Sequence, residues 1–380
     1  MTVQVSGTCE DRYAPVREAF VRNFQQLEEH GAAVAVWQNG RLVVDLWGGW
    51  KDRAATMPWQ ADTLVCMMSV VKAVTALLVH VLADRRAIDL DAPVSDYWPE
   101  FAQGGKDRVL VRHVLDHRAG VPGISRRLEP EAVYDWHAMT AAIAAEPARW
   151  AAGQVPGYHP VTMGFIAGEL IRRVAGVTAG EFLGELMQQP DPFDYYIGVP
   201  EDSLIRCAEV FGNFADTIFG ATDPGTLAYQ SIAPLRYQDF NGSEFRRAEI
   251  PSINGHGTPR SIAILFGHLA ECRAGRRSDP ISVEAIARAT TEQWWGIEQT
   301  SGHERRMGYG FVLAGPKGVP MSANPRAFGH GGAGGSFAFA DPDLGLGFAY
   351  GTSHLHSGKG TGPRTQALAA AVVAAATGQA

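Results

Sequence analysis

The chain has 380 residues, 46% hydrophobic and 19% charged, an ordinary balance for a globular protein with a large buried core. A net charge of -7, a pI near 5.9 and the lack of any basic run exclude nucleic acid as a partner. No stretch reaches the roughly 18 apolar residues of a membrane helix, and Met1 to Asp11 lacks the charged-then-apolar order of an export signal.

Val16, Phe20, Phe24 and Leu27 mark an amphipathic helix stopped by Gly31. Ala32 to Trp37 and Leu42 to Trp47 are apolar strand-like runs around Gln38-Asn39-Gly40-Arg41, the strongest short hairpin signal in the chain. From Ser69 to about Glu249 the pattern is mostly helical, with one clear helix over 160–174. Another helix spans Ser261 to Ala274. Strand-like runs return at Tyr309 to Leu313, Ala327 to Phe328, Ser336 to Ala340 and Gly345 to Tyr350, and an alanine-rich helix covers Ala367 to Ala376. This order predicts an α+β fold. An antiparallel sheet built from both chain ends (1–65 and 255–380) is flanked by helices, and a mainly helical domain (66–254) is inserted, with the active site between them. Cys9, Cys66, Cys207 and Cys272 stand far apart without disulfide or metal-ligand spacing, which fits a reducing, cytoplasmic setting.

Ser69 and Lys72 head the apolar run Met68 to Leu82. On a helix, positions i and i+3 share one face, so a lysine amine can lie beside a serine hydroxyl. A buried lysine loses part of its proton affinity and can then accept the hydroxyl proton. The plain alternative is an N-cap serine followed by a lysine on a solvated face. Gly-x-Ser-x-Gly, His-Glu-x-x-His and Cys-x-x-Cys are all absent from the sequence, which argues against an α/β-hydrolase elbow and a zinc site. No metal or other cofactor is expected.

Three segments, in order, carry a resemblance: Ser69-Val70-Val71-Lys72, Gly157-Tyr158-His159-Pro160, and Phe328-Gly329-His330-Gly331-Gly332-Ala333-Gly334-Gly335-Ser336. The chain resembles serine β-lactamase-fold hydrolases, closest to the family VIII carboxylesterases, relatives of class C β-lactamases and DD-peptidases. Segments from about Val34 to Tyr350 take part, including Val114 to Pro122, Gly198 to Glu201, Asn254 to Thr258 and Met307 to Phe311. The resemblance implies a β-lactamase/DD-peptidase-like fold and an acyl-enzyme on Ser69, with Lys72 and Tyr158 sharing its proton. The backbone N–H groups of Ser69 and Ala333 would hold the oxyanion, and His330, Gly331 and Gly332 would line the substrate. Which of Lys72 and Tyr158 is the base stays open, and Tyr158 and His330 could equally be packing residues.

The activity so implied is a carboxylesterase acting on small or medium esters. The alternative is an acyltransferase or amidase that passes the acyl group to an amine or alcohol acceptor. The partner is a small-molecule ester or acyl donor, and the chain could be a monomer or a homo-oligomer. Where class C enzymes carry an asparagine two residues after the tyrosine, this chain has Pro160, and His330 replaces the lysine of Lys-Thr-Gly. Slow β-lactam turnover at best is expected. Burial should depress the Lys72 pKa, and the nearby ammonium should acidify Tyr158 in return.

Overall fold

Asn39 and Gly40 both adopt left-handed backbone angles (φ 49° and 89°), as the two central residues of a type I′ turn require. They join Gly31–Gln38 to Arg41–Gly49, with Gln38 opposite Arg41. A computed structural model describes residues 3–187, 193–213, 220–356 and 360–378. In chain order its strands are β1 (Val5–Cys9), β2 (Gly31–Gln38), β3 (Arg41–Gly49), β4 (Val65–Cys66), β5 (Tyr195–Ile197), β6 (Phe211–Gly212) and β7 (Gly255–Gly257). There follow β8 (Trp294–Ile297), β9 (Glu304–Met307), β10 (Val312–Leu313), β11 (Phe328–Gly331), β12 (Phe337–Asp341), β13 (Leu346–Thr352) and β14 (His354–Leu355).

Nine of these form one antiparallel sheet in the order β1-β3-β2-β13-β12-β11-β10-β9-β8, so strands from the two chain ends meet where β2 pairs with β13. Alternation along the strands sorts side chains by size. Val34, Val36, Phe337, Phe339, Phe348 and Tyr350 pack with Val16 and Phe20 of the helix Ala14–Gln26 and with Leu368 and Val372 of the helix Gly362–Thr377. The opposite face presents Ala35, Ala338, Ala340 and Ala349 to a second, larger core. Small residues there let the helix Pro259–Arg273 lie close on the sheet. A Cβ added at Gly347 would sit 2.2 Å from the Ala263 carbonyl, so only glycine fits.

Between β4 and β7 the chain is mostly short helices and loops, with the longer helices Val70–Asp84, Trp136–Ala145 and Thr162–Ala175 packed into the larger core. β4, β7 and β5 make a small antiparallel sheet, and β6 pairs in parallel with β14. One expected strand is shorter than its composition suggests. Of Tyr309 to Leu313, only Val312–Leu313 is strand, because Gly308-Tyr309-Gly310 turns, with Gly310 at φ 90°. A Cβ at Gly310 would lie 2.1 Å from that of Ala76, which shows how closely this turn approaches the helix Val70–Asp84. Among the described residues, no helix is long and apolar enough to cross a membrane.

Candidate active site

β4 pairs with β7, and Met67 donates its N–H to the Gly255 carbonyl at 2.9 Å, anchoring the segment that leads to Ser69. Met68 then takes φ 50°, a left-handed conformation uncommon for a side chain of its size and the kind of local strain that gathers at functional sites. This sharp turn delivers Ser69 to the N-cap of Val70–Asp84. Its hydroxyl makes no capping bond there. Lys72, one turn on, has no solvent exposure. Both halves of the plain alternative therefore fail, since the serine does not cap and the lysine is not solvated.

Lys72 Nζ lies 3.1 Å from Ser69 Oγ, 2.7 Å from the Pro160 carbonyl and 2.6 Å from the Ser252 carbonyl. Burial, with the Arg305 cation adding to it, holds this amine well below the ordinary lysine range. A neutral amine has two N–H donors and one lone pair. Two carbonyls take the two hydrogens, so the lone pair faces the Ser69 hydroxyl. Main-chain geometry alone thus aims the Lys72 amine at the serine hydroxyl.

Tyr158 is also buried, with Lys72 Nζ 5.1 Å and Arg305 Cζ 4.2 Å from its ring centroid. Its ring meets that of His117 edge-on at 4.7 Å and lies 6.4 Å from that of His330. The expectation that Tyr158 is acidified is corrected here. Burial raises its pKa, and although Arg305 and a hydrogen bond with Ser69 pull the other way, burial wins. Lys72 is not among the groups that lower the phenol, so burial sets the direction. The phenol is therefore protonated at neutral pH.

The third segment closes against the first. A Cβ at Gly332 would sit 2.3 Å from the Met67 carbonyl, so the turn after β11 touches the residues that precede Ser69. That turn is closed by Gly332 N–H donating to the Ser336 carbonyl at 2.7 Å. Among the described residues, neither the Ser69 N–H nor the Ala333 N–H is donated to another group, which leaves both available to an oxyanion. His330 Nδ1 bonds the Gly331 carbonyl at 2.8 Å, so that nitrogen carries the hydrogen and Nε2 is a bare acceptor. Nε2 is buried without a partner, and burial pushes the His330 pKa down to about 3, leaving the ring neutral.

Two charged residues at the site carry no sequence signal. Glu298 is fully buried, and its Oε2 accepts from the Tyr158 and Thr300 N–H groups at 2.7 and 2.8 Å. Burial alone would raise its carboxyl, but Arg305 and these bonds outweigh it and keep it below the usual carboxylate value. Arg305 stands on β9, 147 residues from the tyrosine it covers (305 less 158). Of the other family-like segments, Val114 to Pro122 supplies His117, whose carbonyl accepts from Gly157 N–H and which is itself held at φ 64°. Asn254 to Thr258 supplies β7.

A family model described as Beta-lactamase matches residues 20–373. The chain belongs to the beta-lactamase family. It is 33% identical over 279 residues to the Esterase/beta-lactamase LipL of Mycobacterium tuberculosis, a match covering 70% of this chain and 65% of LipL, a little under two thirds of that relative's length. A penicillin-binding protein homolog from Caulobacter crescentus superposes with a TM-score of 0.90 at 38% identity, covering 98% of this chain and 100% of that one. A family VIII carboxylesterase structure gives a TM-score of 0.89 at 36% identity with the same coverage. The resemblance and the α+β, antiparallel-sheet fold expected from the sequence therefore hold.

Proposed function

We propose that this chain is a serine hydrolase that forms an acyl-enzyme on Ser69 and hydrolyses small or medium carboxylic esters. One observation carries the reading: the buried Lys72 amine is held by two carbonyls with Ser69 Oγ as its third partner, 3.1 Å away. The esterase names of LipL and of the carboxylesterase neighbour support it.

Lys72 takes the Ser69 proton as Oγ attacks the ester carbonyl, and the oxyanion is held by the N–H groups of Ser69 and Ala333. Tyr158, protonated at neutral pH, donates its proton to the departing alcohol and recovers one from the lysinium. Water then attacks the acyl carbonyl and gives its proton to the same pair, which returns it to Ser69 Oγ as the Oγ–acyl bond breaks and the acid leaves. With its phenol raised rather than acidified, Tyr158 serves as the proton donor and Lys72 as the base. β-Lactams rank below esters, because Pro160 offers no side-chain amide and the neutral His330 offers no cation to their carboxylate. Four unpaired cysteines are consistent with a cytoplasmic setting.

The test is p-nitrophenyl butyrate turnover together with labelling by a fluorophosphonate, followed by intact mass. Ser69→Ala should lose both. Retention of more than a trace of turnover overturns the mechanism. Amide formed in preference to free acid when an amine is added would move the protein to the acyltransferase class.

A further inference from the structure

The nine-stranded sheet has two edges, β1 and β8, and they are finished differently. On β1 the Arg17 guanidinium donates to the Gly7 carbonyl at 3.1 Å, and Gly7 leaves the extended conformation with φ 104°. A cation on the edge and a departure from extended backbone both blunt it. β8 carries neither. Its register runs from Trp294 opposite Met307 to Ile297 opposite Glu304, and Glu298 N–H donates to the His303 carbonyl at 3.1 Å. Antiparallel pairs alternate between hydrogen-bonded and non-hydrogen-bonded, so the main-chain groups of Gly296 face β9. Those of Trp295 and Ile297 point the other way, and among the described residues no other main-chain group meets them. The same two residues are exposed apolar side chains, Trp295 at 52% and Ile297 at 65%. The Trp295 ring is already fixed, its Nε1 donating to Glu304 at 2.9 Å with Arg306 Cζ 5.5 Å over it. An anchor held beforehand loses little freedom on binding. Gln293 to Gln299 contains one charged residue, Glu298, and its carboxylate is turned inward to the Tyr158 N–H. No lysine or proline guards this edge.

We propose that β8 is a pairing edge and that its occupant is β8 of a second copy of this chain, antiparallel about a two-fold axis at Gly296. That register is self-complementary. Trp295 stands opposite the partner's Ile297, and the outward N–H groups of each copy meet the outward carbonyls of the other. Aromatic and β-branched residues facing across strands are a favourable pair. Gly296 meets its own copy on the axis, where no side chain intrudes, and a Cβ built there finds nothing within 4 Å. No like charges come face to face, because from 293 to 299 the register sets Gln against Gln, Trp against Glu and Trp against Ile. A foreign strand would need this same alternation, whereas a second copy supplies it already ordered. The strand is only four residues long, so the contact falls below the roughly 1,200 Å² of a standard interface and the dimer is concentration-dependent.

Sedimentation equilibrium of the full chain tests the pairing. The weight-average mass should rise with concentration from 40.9 kDa toward twice that value. Ile297→Lys sets a charge on the edge at an exposed position and should hold the mass at one chain throughout, with circular dichroism confirming that the variant is folded. Gly296→Cys tests the register. Cα atoms of a non-hydrogen-bonded antiparallel pair stand about 4.5 Å apart, within disulfide range. Mild oxidation should therefore give a dimer band on non-reducing gels that dithiothreitol removes and the unmodified protein lacks. Adding Ile297→Lys to Gly296→Cys should abolish that band. A constant one-chain mass, a dimer that survives Ile297→Lys, or a Gly296→Cys protein that dimerises without cross-linking overturns the proposal. None of these measurements involves turnover, so the pairing edge is tested apart from the hydrolase reading.

Discussion

Two lysines in this protein have lost all contact with solvent, Lys72 in the site and Lys106 in a loop remote from it in sequence. They look alike locally. Each Nζ lies just over 5 Å from an aromatic centroid, 5.1 Å for Lys72 over Tyr158 and 5.3 Å for Lys106 over Phe101. Each donates to main-chain carbonyls. Lys106 reaches those of Gln103, Ala144 and Glu146, which use all three of its hydrogens. For Lys72 the third partner is instead the Ser69 hydroxyl. Lys106 is covered only thinly, with exposed residues on either side of it in sequence, and burial brings its pKa down to about 8 while Glu146 opposes the shift. Lys72 is deeper, and Arg305 pushes in the same direction as burial. Burial depresses both lysines, but only Lys72 has a hydroxyl among its partners. A lysine enclosed by carbonyls is a strut, whereas one with a hydroxyl in place of a carbonyl can take a proton.

The largest expected effect breaks the comparison at the base. Lys72→Arg keeps a long basic side chain but cannot deprotonate near neutrality, so kcat should fall at least roughly a hundredfold. Steady-state ester kinetics read this directly, and near-normal activity in that variant would remove the distinction drawn between the two lysines. Lys106→Met should act the other way. It leaves three buried carbonyls without a donor, so urea denaturation should show a loss of at least about 2 kcal/mol, with kcat of the folded enzyme unchanged.

A third expectation concerns Glu298, which ties the Tyr158 backbone in place. Glu298→Gln should cost roughly tenfold in kcat, toward the low end for a group acting through a proton donor. Because the Glu298 charge helps raise the Tyr158 pKa, the alkaline limb of the pH–rate profile should also move to lower pH. A merely structural loss would lower the rate without moving that limb.

The smallest effect is on stability against pH. Lys106 titrates near 8 when folded and at its ordinary 10.5 when unfolded. Between those values the unfolded chain binds more protons, so stability rises with pH across that window, with a slope of at most about 1.4 kcal/mol per pH unit. Below about 8 both states are protonated and the burial penalty is complete. The stability difference between the unmodified protein and Lys106→Met should therefore widen in favour of the former from pH 8 to pH 10. A parallel pair of curves would show that Lys106 is not desolvated.

Much of this architecture is legible in sequence because its signals are local. Asn39-Gly40 dictates a turn by its own backbone preferences, and the Ser69–Lys72 spacing places two groups on one helix face whatever surrounds them. The strand at Tyr309 to Leu313 misled because an apolar run does not reveal that Gly310 must yield to Ala76 on a distant helix. Glu298 and Arg305 were invisible for a related reason. They belong to a hairpin of mixed polar residues with no periodicity, and only tertiary packing brings them to Tyr158. The sign of the Tyr158 shift failed similarly, since the phenol's own burial, which no motif reveals, outweighs the cation beside it.

The acceptors that hold Lys72 belong to the main chain of Pro160 and Ser252, not to their side chains. Genetic drift can rewrite both positions without deleting either acceptor, provided the backbone keeps its course. Pro160 itself, standing where class C enzymes carry asparagine, is a case in point: the amide is gone and the carbonyl contact is present. Descendants of such a site could exchange one substrate for another at little risk to the base. Searches that score side-chain identity around the lysine would then miss kin that retain its chemistry intact.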